Sequence, residues 1–166
     1  MKKISALFIS FSVLIPCSFA FTGGKEVKPV DVKTLDGRIV STSTFSNNSK
    51  PMILVFWISW HKNPAKELNA IAEYYDDWKK ETGVKLITIA EDDARTSATI
   101  AGIVASKEWS YEFYIDNTQD FKRAMGVNDV PHTMLVNGEG KVVWEKIGYL
   151  EGDENTIHDE LIKISN

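Results

Sequence analysis

Seven consecutive apolar residues, Met52-Ile53-Leu54-Val55-Phe56-Trp57-Ile58, constrain this chain more than any other feature. A strand with one wet face alternates apolar and polar residues. A run without a polar position fits a strand covered on both faces, as in the middle of a parallel sheet. Such a strand needs helices packed on it, and the sequence that follows carries helical signals. Asn63 is a good N-cap, and Pro64 suits a first helical position, where its missing N–H costs no hydrogen bond. Leu68, Ile71, Ala72, Tyr75 and Trp78 then recur at helical spacing, and Gly83 ends the pattern.

The alternation continues along the chain. Residues 21–30 read as an extended lead-in, and Asp36-Gly37 is a hairpin turn between Val30–Val32 and Ile39–Val40. Residues 46–51 form a polar loop. Val84–Ala90 predicts a strand, 94–107 a helix, Tyr111–Ile115 a short strand and Gln119–Met125 a short helix. His132–Val136 and Lys141–Ile147 predict a closing hairpin across Asn137-Gly138-Glu139-Gly140. A last helix runs from Asp153 to Ile164. Strands alternating with helices, then a hairpin, imply an α/β fold with a mixed central sheet and flanking helices.

The first 20 residues are of another kind. Lys2 and Lys3 precede a short apolar stretch, Ile4–Ile15, which ends at Ser18-Phe19-Ala20. That is the pattern of a cleaved secretory signal, leaving residues 21–166 as one domain in the periplasm or the medium. The apolar stretch is shorter than the ~20 residues of a membrane span. A lipoprotein signal at Cys17 would want a small residue where Pro16 stands. Cys17 is the one cysteine in the chain and lies in the segment expected to be removed. Loss of Lys2 and Lys3 takes the net charge from −4 to −6. A mildly acidic chain without basic clusters gives no support to nucleic-acid binding.

Phe56, Trp57, Trp60 and Glu67 stand around the strand-to-helix turn, and Gly126, Val127, Val130, Pro131, Thr133, Leu135, Val136, Asn137, Gly140 and Val142 lie near the closing hairpin. This pattern resembles the thioredoxin fold and, more narrowly, exported thioredoxin-like proteins of the TlpA/ResA type. It extends from about Val30 to Ile164. The resemblance implies a three-layer sandwich, a cis bond before Pro131 and a peptide groove at Val130. It also implies a C-x-x-C motif, and here the sequence departs. The four positions are His61, Lys62, Asn63 and Pro64. Disulfide exchange runs through thiolate attack and a mixed disulfide, which imidazole and proline cannot form. Thiol-disulfide oxidoreductase activity is therefore not expected, nor is a cofactor.

The expected site is the surface left behind: Trp60, His61, Lys62, Asn63, Pro64, Val130, Pro131 and His132. Three uses stay open. A protein or peptide partner could add a strand against Val130, with Trp57 and Trp60 as an apolar wall. His61 and His132, with Asp129 or Glu67 nearby, are candidates for a zinc or copper site or a general base. The contact face could also lie elsewhere, for instance on the charged side of the first helix at Lys66, Glu73, Asp76, Asp77, Lys79 and Lys80. Glu67 reads as a helix-end acid favourable to the dipole, and His158 as a solvated residue.

Overall fold

A computed structural model of the protein describes residues 24–60, 64–107 and 109–165. The expected signal segment, Cys17, His61, Lys62 and Asn63 lie outside the described residues. Eight strands form one mixed sheet: β1 (Lys25–Glu26), β2 (Asp31–Thr34), β3 (Ile39–Ser41), β4 (Met52–Trp57), β5 (Lys85–Ala90), β6 (Glu112–Ile115), β7 (His132–Val136) and β8 (Lys141–Ile147). Their spatial order is β1-β8-β7-β4-β5-β6-β2-β3. Four helices flank it: α1 (Pro64–Thr82), α2 (Ser97–Ala105), α3 (Asp120–Ala124) and α4 (Asp153–Ser165).

β4 sits in the middle, parallel to β5 and antiparallel to β7. Ile53, Val55 and Trp57 enter one core, while Met52, Leu54 and Phe56 enter the other. The first core is closed by Leu68, Ile71, Tyr75 and Trp78 of α1, Ile100 of α2, and Ile157 and Leu161 of α4. The second is closed by Phe121 of α3 with Phe45, Met125 and Val127. Both faces of β4 are therefore dry, which is why its sequence shows no alternation. This is the thioredoxin-like α/β fold.

The structure trims and adds to the expected elements. The lead-in contains β1, whose Lys25 and Glu26 pair with Val142 and Lys141 at the sheet edge. α2 begins later than residue 94 because Asp93 caps the turn before it. Its Oδ1 accepts from the N–H groups of Arg95 and Thr96 at 2.9 and 3.0 Å. Among the described residues no helix is long and apolar enough to cross a membrane.

The β7–β8 turn rests on the polar loop before β4. A Cβ added at Gly138 would lie 2.1 Å from the Ser49 carbonyl oxygen, a backbone atom that cannot swing away. Gly138→Ala is thus expected to cost about 2 kcal/mol by overpacking. A urea melt reads this as a lowered midpoint, and an unchanged midpoint would mean that the turn and loop do not touch.

Candidate functional site

The candidate site lies where the end of β4, the start of α1, the loop before β7 and the connection from β8 to α4 meet. Its floor is set by main-chain bonds. The Glu91 N–H donates to the Trp57 carbonyl at 2.8 Å, and the Gly148 N–H donates to the Pro131 carbonyl at 2.7 Å. Asp92, 1% exposed, holds the turn leaving β4. It accepts from the Ser59 N–H at 2.9 Å and from the Ser59 hydroxyl at 2.5 Å. With the turn clamped there, Trp57 stays buried while Trp60 is 68% exposed. Trp57 packs edge-on against Trp109, with ring centroids 6.1 Å apart. Among the described residues its indole N–H has no acceptor.

The Val130–Pro131 peptide bond is cis. Pro131 is buried and Val130 half-buried. Among the described residues neither the N–H nor the carbonyl of Val130 makes a hydrogen bond. α1 starts at Pro64, and Trp60, Val130 and Pro131 border the same end of the sheet. His61, Lys62 and Asn63 belong to the expected site but lie outside the described residues.

Glu67 is the first refinement. It lies in the first turn of α1, as the helix-end reading has it, but is 2% exposed and faces the sheet beneath the helix. Its Oε1 accepts from the Thr133 hydroxyl at 2.5 Å, and its Oε2 has no partner among the described residues. Burial pushes its carboxyl up to about 7; the Thr133 bond and the Lys146 charge pull the other way. The spacing held a clue. Glu67 stands four residues before Ile71 and eight before Tyr75, on the stripe that faces the core.

His132 is the first correction. It is 3% exposed, and its Nε2 lies 3.2 Å from Glu145 Oε2 rather than beside Asp129 or Glu67. Strand geometry explains this, since successive side chains on β7 point to opposite faces. Thr133 points to Glu67 under α1. His132 is paired with Phe56 of the opposite core, so it points away. Burial holds its imidazole below the ordinary histidine range against the pull of Glu145. Its Nδ1 has no partner among the described residues. Within the described residues no three His, Cys, Asp or Glu side chains are placed to hold a metal ion.

His158 is the second correction. Its ring stacks on Trp78 at 5.6 Å and 10°, and its Nε2 lies 2.9 Å from Glu81 Oε2. The packing of α4 on α1 brings these residues together across 77 positions of sequence. On the charged side of α1, Lys80 pairs with Asp77 at 3.0 Å.

Further buried acids, Glu91, Asp92 and Asp116, escaped the sequence reading. Glu91 follows β5, is 2% exposed, and lies 2.6 Å from Lys122 Nζ. Burial raises its carboxyl to about 7 despite Lys122, and Asp116 and Asp92 push in the same direction. The run Glu91-Asp92-Asp93 carries no sequence signal of burial, because acids are seldom buried unless paired. The partner that allows it sits on α3, far along the chain.

Residues 24–145 match the AhpC/TSA family. The chain is 28% identical over 179 residues to thiol-disulfide oxidoreductase ResA of Bacillus thuringiensis subsp. konkukian, covering 99% of each. It is 30% identical over 125 residues to ResA of Bacillus thuringiensis strain Al Hakam, covering 75% of this chain and 69% of that one. Among solved structures it is similar to an uncharacterized thioredoxin-like protein from Porphyromonas gingivalis. That match is 34% identical with a TM-score of 0.75, covering 86% of this chain and 93% of that one. StoA from Bacillus subtilis, 20% identical with a TM-score of 0.62, shares the fold over 81% of this chain and 97% of that one.

Proposed function

The chain belongs to the AhpC/TSA family, with thiol-disulfide oxidoreductases among its relatives, and from that premise we propose that it is a non-catalytic member that binds an extended segment of a protein partner. The observation that carries this is the cysteine count. A chain with one cysteine, Cys17, has no second thiol to resolve a mixed disulfide. His61 and Pro64 occupy the positions that the family resemblance gives to the cysteines.

The peptide groove needs no sulfur. Its supports are the main chain of Val130, which makes no hydrogen bond among the described residues, the buried Pro131 beside it and the exposed indole of Trp60. An incoming strand would exchange hydrogen bonds with Val130 and lay an apolar side chain on Trp60. Glu67, which can hold a proton near neutral pH, sits below this surface with no thiol to serve. Export through residues 1–20 belongs to the same reading, and the partner is then an envelope or extracellular protein.

Two measurements test it. Purified protein is expected to give no reduction of insulin disulfides above the uncatalysed rate, and measurable turnover would remove the non-catalytic reading. A pull-down from the native envelope or medium is expected to recover a specific partner with the wild type. It should lose that partner with Trp60→Ala. Equal recovery with the variant would place the contact on another face.

A further inference from the structure

The hollow beside this groove has a composition of its own. A cavity of about 590 Å³ opens between α1 and the β8–α4 connection. Tyr74, Tyr149 and Leu150 give it an apolar and aromatic lining, and Leu150 is 73% exposed. Glu73, Glu151 and Glu154 stand on the same lining, with Lys66 the one base there among the described residues. Glu154 is engaged by the Tyr149 hydroxyl at 3.2 Å. Glu73 and Glu151 are exposed and make no ion pair among the described residues. A second, smaller hollow shares Tyr74 and Glu154 with it; there Tyr74 stacks on Trp78 at 6.3 Å and 13°, and Asp77 and Glu81 stand on the lining.

We propose that this hollow takes a lysine or arginine side chain of the partner segment, so that the chain selects basic peptides. The inference rests on the groove reading above and names the chemistry of its occupant. Aromatic faces attract an ammonium or guanidinium through the ring quadrupole, and carboxylates at the rim complete the match. A carboxylate-bearing segment meets the opposite field and is turned away.

The main chain links the two places. The Gly148 N–H that anchors the Pro131 carbonyl belongs to the residue just before Tyr149 and Leu150. The hollow therefore begins next to the cis-proline loop. A strand laid against Val130 advances roughly 3.3 Å per residue, so a long basic side chain two or three residues on is suited to reach it.

The test is a titration of the full chain with fluorescein-labelled extended peptides of about ten residues. They are alike except for two lysines, two glutamines or two glutamates. The lysine peptide is expected to bind about tenfold tighter than the glutamine peptide. That advantage should shrink several-fold between about 50 and about 300 mM NaCl, as surface charges are screened. Glu73→Gln/Glu151→Gln, at two exposed positions, is expected to erase the preference while keeping the glutamine peptide's affinity. Trp60→Ala is expected to weaken all three peptides alike. A preference that survives in the double variant, or a tighter glutamate peptide, overturns the assignment of the hollow and leaves the Val130 groove standing. Failure of every peptide to bind the wild type overturns both.

Discussion

Glu67→Gln is expected to stabilise the folded protein by about 2 kcal/mol at pH 8 and to remove much of the loss of stability between pH 4.5 and 7. The carboxyl is 2% exposed, and burial raises it from 4.5 to about 7. An acid raised in the folded state holds its proton where the unfolded chain has released it. The folded state is then favoured below 4.5, loses ground as pH rises through the interval, and bears the full cost of a buried carboxylate above about 7. That cost is about 3 kcal/mol for a shift of this size. Glutamine does not titrate and can still accept from the Thr133 hydroxyl. Its amide donors replace Oε2, which has no partner among the described residues, so part of the gain is lost. Urea melts of both proteins across pH 4.5 to 8 give the comparison. Glu91, also raised to about 7, stays in both and leaves a residual slope that cancels in the difference. Parallel curves for the two proteins would show that Glu67 is ionised in the folded state throughout.

Trp57→Ala is expected to cost about 4 kcal/mol, and Trp57→Phe less than about 2. Trp57 is 1% exposed at the end of the central strand, between β5 and α1, with Trp109 edge-on to it. Removing the ring opens a cavity that a strand paired with β5 and β7 cannot close by shifting. Phenylalanine keeps most of the packing. It also removes an indole N–H that has no acceptor among the described residues, which offsets part of the lost volume. Chemical denaturation of both variants checks the ranking. An alanine variant as stable as the phenylalanine one would mean that the ring packs loosely and is a surface element of the groove.

Both effects depend on features of unequal legibility. The run Met52–Ile58 announced a strand buried on both faces, since only double coverage removes alternation. The stripe Leu68, Ile71, Tyr75, Trp78 marked the inner face of α1, and the Asn137–Gly140 turn marked the last hairpin. Glu67 stood on that same stripe, yet its charge argued for solvent. Its burial is decided by Thr133, which lies 66 residues away and meets it only after β7 pairs with β4. His132 had to point to one side of the sheet or the other. The pairing with Phe56 chose the side, sending it toward Glu145 and away from Glu67.

The amino-acid order alone established an α/β fold with a mixed sheet and the lack of an internal disulfide, because periodicity and cysteine count are properties of the chain itself; the thioredoxin-like sandwich was what the resemblance of its motifs implied, and the assembled sheet bears it out. Which charged groups end up dry was decided only by the assembled sheet. So were the meeting of His158 with Glu81 and the joining of β1 to β8. A side chain's environment is made by segments distant along the chain, and local spacing says which way a residue faces without saying what stands opposite.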